Sequence, residues 1–197
     1  MFEFCPNDYG KAVAELLPPE RLPDLGPGTP NVAALPSLKR LTDQRMFGEN
    51  HLSHRGMAAA CRAGLWLYHD YLDESHRISQ TLEDANGSYW HALMHRREPD
   101  ADNAKYWFRR VGDHAVFPQL YQRTLELSGA ESIASSADRR DVSALVAGGA
   151  WDPLAFVDLC ENIRTRDAAR QLLCRRIQLY EWQLLFDCCF RLASGQE

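Results

Sequence analysis

A chain of 197 residues, 45% hydrophobic and 25% charged, fits one folded domain and excludes global disorder. Its net charge of −5 supplies no field that would attract a polyanion, so no nucleic-acid partner is expected. No stretch reaches the ~20 uninterrupted apolar residues of a membrane helix, and the first residues carry Pro6 and Asp8 where a secretory signal has an apolar run.

Asn7 to Leu17 reads as a short helix. Between Pro18 and Pro36 the chain places six of its ten prolines, with Gly26 and Gly28, so residues 18–36 form a loop without regular structure. A short helix is expected over Leu38–Met46, then a loop, Phe47–Arg55, holding His51 and His54. From Gly56 to Ser79 one helix is expected, because Met57, Cys61, Leu65, Tyr68 and Leu72 recur at buried-stripe spacing.

Asn86-Gly87-Ser88 reads as a break, with Ser88 capping a helix that runs to Glu98 and stops at Pro99. A second helix follows over Asp102–Val111, with Gly112 as its C-terminal cap. Pro118 opens a helix to Leu127, residues 128–137 read as a loop, and Arg139–Val146 is helical. In Trp151-Asp152-Pro153-x-x-Phe156, Asp152 caps a helix, Pro153 fills its first turn, and Trp151 packs on Phe156. The last helix, Asp167–Leu192, is apolar nearly all round after Ile177, as suits the middle of a bundle.

The pattern therefore predicts an all-α fold over residues 1–197. It is an irregular single-domain helical bundle with a buried C-terminal helix and a proline-rich N-terminal loop. Six cysteines without a Cys-x-x-Cys pair read as reduced core residues, and a cytoplasmic location is expected.

Unusual chemistry concentrates between Ser88 and His114. His91, His95 and Glu98 share one helix face, where two imidazoles and a carboxylate converge on a metal or a substrate. The zincin pattern is absent, since Ala92 stands where the glutamate would follow the first histidine. At about 100° per residue, this face points about 135° from the Tyr89–Trp90–Leu93–Met94 stripe, towards solvent or towards a cleft with another helix. Arg97 lies on the apolar face, where it needs a carboxylate or an anionic ligand. Arg96, Lys105, Arg109 and Arg110 add charge, and Tyr106 and Trp107 add aromatic surface suited to a small anionic or planar ligand.

His69 lies on the long helix expected over residues 56–79, with His76 two turns further along. Glu181 sits among Ile177, Leu184 and Leu185, so a buried carboxylate is expected, paired with a cation or a histidine. Asp73-x-x-His76 is the nearest approach to the paired Glu-x-x-His motifs of di-iron bundles, and it stands alone.

The run from Tyr89 to Glu98 with Asp102 to Gly112 resembles the diagnostic block of a family of microbial all-α proteins for which no activity is established. The resemblance covers about residues 88–117 and implies no catalytic residue. The same run also resembles a single tetratricopeptide hairpin, with Ala104 and Phe108 at its small and aromatic packing positions; one repeat makes a helix–turn–helix and no solenoid.

Two functions remain open on these residues. One is a small-molecule or anion site, enzymatic or not, lined by His91, His95, Arg97, Glu98, Tyr106, Arg109, His69 and Glu181, with His91 and His95 as ligands if a divalent metal is the cofactor. The other is a non-enzymatic helical module that holds a protein partner through the proline-rich loop or an aromatic face.

Overall fold

The computed structural model describes residues 2–48, 52–129, 136–166 and 168–196; His51 and most of the expected 128–137 loop fall outside them. A 3-10 turn, Pro6–Tyr9, precedes α1 (Lys11–Ala14), α2 (Leu35–Arg40), α3 (Asp43–Phe47), α4 (Arg55–Tyr68) and α5 (Leu72–Ser79). Then come α6 (Ala85–Arg97), α7 (Ala101–Val111), α8 (Phe117–Gly129), α9 (Ser136–Val146), α10 (Pro153–Arg164) and α11 (Ala168–Ser194). No strand occurs among the described residues, and the fold is an all-α bundle around one contiguous core. Among the described residues no helix is long and apolar enough to cross a membrane.

Three local differences from the sequence expectation bear on the site. The expected helix 56–79 is two helices, broken at His69–Tyr71, where Asp70 adopts a left-handed conformation (φ 66°). No glycine or proline marks this break. It exists because Asp70 turns its carboxylate to two arginines: Arg21 Nη2 and Arg97 Nη2 each donate to it at 2.5 Å. Asp is among the residues that tolerate this conformation best.

The second difference is the start of α6, which begins at Ala85 and not after Ser88. Asp84 is the cap, accepting from the Gly87 amide at 2.9 Å. Gly87 lies inside the helix because a Cβ there would stand 2.2 Å from Leu82 Cβ; it serves close packing rather than a chain break. The third is the expected N-terminal helix, which divides into the 3-10 turn and α1, just as the 38–46 segment divides into α2 and α3.

Helix α6 is central. Every residue from Gly87 to Arg97 is buried, because α4, α5 and α7 all pack on it. Gly64 of α4 permits one of these contacts, since a Cβ there would stand 2.6 Å from the Trp90 ring. Helix α11 closes the other side, burying Leu173, Ile177, Trp182, Leu185, Phe186 and Cys189. Helix α10 begins as its sequence requires: Asp152 Oδ1 accepts from the Leu154 and Ala155 amides, and Trp151 and Phe156 rings lie 5.1 Å apart.

The proline-rich loop is a strap bound to this body. A segment poor in backbone donors cannot pair its own carbonyls, so side chains from the helices donate to them. Arg97 donates to Gly26 and Pro27, Arg175 to Leu22 and Pro23, Gln178 to Asp24, and Tyr68 to Pro18. Gly28 (φ 71°) passes directly over Asp70, where a Cβ would meet the carboxylate at 2.6 Å. Leu25 is fully buried beneath the strap. Burial pushes the thiols of Cys61, Cys160 and Cys189 upward, away from thiolate chemistry.

Candidate metal centre at three histidines

The α6–α7 hairpin turns through Glu98–Asp100, and α5 packs against the face of α6 that carries its histidines. That face therefore lines a cleft between helices. His91 is 3% exposed and His95 7%, and His76 of α5 completes the group from the side. One ligand atom from each of His76, His91 and His95 lies within 4.8 Å of the other two. The His91 and His95 rings stack at 4.8 Å, and the His76 ring lies 4.7 Å from His91 and 5.2 Å from His95. Trp107 of α7 stacks on the other face of His91 at 4.0 Å, with the Arg110 guanidinium 5.3 Å from its ring.

The hydrogen bonding of this group is incomplete. Both ring nitrogens of His91 and Nδ1 of His95 are buried without a hydrogen-bond partner. Glu98 Oε2 lies 3.1 Å from His95 Nδ1, and Asp100 Oδ2 lies 3.8 Å from it. Both carboxylates stand within ion-pair distance of His95. Burial, followed by the neighbouring His95 and His76, pushes His91 down to about 3. Burial also lowers His95, opposed by Glu98. Both imidazoles are neutral at pH 7, the form that binds metal.

The other sequence-designated residues lie apart from this cluster. Arg97 finds its carboxylate in Asp70 and spends its remaining donors on Gly26, Pro27 and Leu67 carbonyls, so it anchors the strap. His69 also anchors the N-terminal region: Nε2–H donates to the Leu16 carbonyl at 2.8 Å, and Nδ1 accepts from Asn31 at 3.0 Å. Glu181 is fully buried, accepting from Arg96 Nη2 at 2.6 Å and from the Tyr89 hydroxyl at 2.9 Å. Its partner is thus a cation of the dense segment and neither His69 nor His91. Tyr106 is exposed beside Trp107. Arg109 is exposed and, with Phe108 and Trp151, lines a groove by α9 and α10. Asp187, expected to pair with Arg191, does so at 3.9 Å and also accepts from Tyr9 at 3.0 Å.

His76 is the residue the sequence placed on the wrong helix. Reading 56–79 as one rod gave it no relation to His91; the break at Asp70 reorients α5 and brings it in. Its presence three residues after Asp73 was the only local signal.

His69 makes the stability of this fold pH-dependent. Burial pushes it down to about 4, with the Leu16 hydrogen bond opposing and Arg21 adding to the shift. An unfolded histidine titrates near 6.5. The stabilisation is therefore complete above pH ~6.5 and is lost as pH falls towards 4, because only the unfolded chain takes up the proton. The full loss from this residue is about 3 kcal/mol. Urea unfolding measured from pH 7 to pH 4 should show this decline and His69→Gln should make it shallower; equal slopes for the two proteins would contradict the assignment.

Comparison of the chain with protein families, curated proteins and solved structures found no match. Fold and site together define an all-α bundle with a three-histidine cluster, His91 and His95 buried and His76 half-buried, at the junction of α5, α6 and α7.

Proposed function

We propose that the protein binds a divalent transition-metal ion at His76, His91 and His95, with Glu98 and Asp100 beside His95 at the rim. The observation that carries this reading is the pair of buried, unpartnered imidazole nitrogens on His91, grouped with the rings of His76 and His95. An unsatisfied buried polar atom costs about 1–3 kcal/mol. An ion at the centre of the cluster removes that cost from the His91 nitrogen that ligates it. Small side-chain rotations bring ligand atoms at this spacing to coordination distance.

Three neutral imidazoles suit Zn2+, Co2+, Ni2+ or Cu2+, whereas Mg2+ and Ca2+ take sets dominated by oxygen. Three neutral ligands leave a bound divalent ion its full charge of +2. Glu98 and Asp100 are substantially exposed, at 48% and 39%, which gives the ion a polar entrance at the α6–α7 turn. A small anion that binds here would do so as a further ligand of that ion, because Arg96 and Arg97 are engaged with Glu181 and Asp70. The clamped carbonyls of the strap support an internal role for the proline-rich loop over the display of that loop to a protein partner.

Equilibrium dialysis of the metal-stripped protein against Zn2+ and against Mg2+ tests the reading. One tightly held Zn2+ per chain is expected, with no retention of Mg2+, and Co2+ or Cu2+ should quench the fluorescence of Trp107. Equal, weak retention of both ions would overturn it.

A further inference from the structure

We infer that one water molecule is a fixed part of this fold, held between Arg96 and Gln178 beneath the proline-rich strap. Arg96 is completely buried. Its Nη2 reaches Glu181 and its guanidinium lies 4.6 Å from the Phe156 ring centroid, but Nε and Nη1 have no partner. A guanidinium carries five N–H donors and no acceptor, so most of its demand is unmet.

Gln178 faces the same region from α11. Its Nε2 donates to the Asp24 carbonyl at 3.0 Å, which fixes the orientation of the amide, and leaves Oε1 buried without a donor. Arg96, Gln178, Tyr68, Leu93, Trp182 and Pro23 line one small void, which leaves the centre of a water molecule ≈ 20 Å³ to occupy. About 10–15 Å³ is enough for one water, provided two or more polar groups receive it.

The chemistry of the walls selects the guest. Arg96 requires an acceptor and Gln178 Oε1 requires a donor, so the molecule must do both. Water does: it accepts from an Arg96 N–H and donates to Gln178 Oε1. Chloride accepts only, and it would face the lone pairs of Gln178. The positive charges are already balanced, Arg96 by Glu181 and Arg97 by Asp70. The water thus links the buried ion pair of α6 and α11 to the residue that holds the strap at Asp24.

A high-resolution crystal structure grown with sodium bromide decides between the guests. The expected result is one water-sized peak within about 3.2 Å of both Gln178 Oε1 and an Arg96 nitrogen, with no bromide anomalous signal. A bromide peak, an empty void, or an Arg96 side chain closed directly onto Gln178 would each overturn the proposal. In solution, oxygen-17 relaxation dispersion of the native protein and of Gln178→Met should differ by one long-residence water; an unchanged number in a folded variant would also overturn it.

Discussion

Replacing His91 with alanine is expected to lower the affinity for Zn2+ by more than 100-fold, beyond the roughly 10- to 100-fold that removal of an outer-shell partner costs. His91 is the centre of the cluster: it stacks on His95 and Trp107, lies beside His76, and has two nitrogens without another use. His76→Ala should act in the same direction, since it removes the ligand that α5 supplies. His91→Phe separates binding from packing. An aromatic ring keeps the stack with Trp107 and removes two unsatisfied nitrogens, so the metal-free protein should be as stable as its parent or more so, while Zn2+ binding is lost. If His91→Phe holds Zn2+ as well as the parent does, the three rings are an aromatic stack and no more.

The second large effect is on stability. Glu181→Gln should destabilise the fold by about 3–5 kcal/mol, because it leaves the Arg96 charge buried without a counter-ion. In a chain of this size that corresponds to a fall in Tm of roughly 6–20 °C. The cause is the unpaired charge and not the loss of a strong bond. Both side chains are 0% exposed, and the attraction of such a pair offsets little more than its own desolvation. Arg96→Met combined with Glu181→Leu should therefore recover most of the stability lost in Glu181→Gln. Thermal unfolding of the two variants checks this; a double variant as unstable as the single one would locate the effect in the Tyr89 and Phe156 contacts instead.

The parts of the fold that were legible in the sequence are those set by local chemistry. Asp152-Pro153 with Trp151 and Phe156 started α10 where it starts, and Gly112 (φ 65°) ends α7 where a glycine cap was expected. The all-α class followed from the absence of any alternating pattern. What could not be read was set by distant partners. Asp70 breaks a well-patterned helix only because Arg21 and Arg97, far off in the chain, need its carboxylate. The same break governs the site. His91, His95 and Glu98 were visible as one face of a helix, but whether that face met water or another helix depended on α5, and α5 did not exist as a separate element in the sequence pattern. Arg97 was recognised correctly as a cation on the apolar face in need of an acid, and Glu181 as a buried charge that needs a partner. Their partners proved to be Asp70 and Arg96, which makes them two structural ion pairs apart from the histidine cluster rather than its lining.

X-ray absorption spectroscopy on the protein loaded with one equivalent of Zn2+ tests the histidine centre most directly. The predicted spectrum has four nitrogen or oxygen neighbours at ~2.0–2.1 Å, with the outer-shell scattering of three imidazoles, and it loses one imidazole in His76→Ala. A six-oxygen shell without imidazole scattering, or a sulfur shell from cysteine, would contradict it.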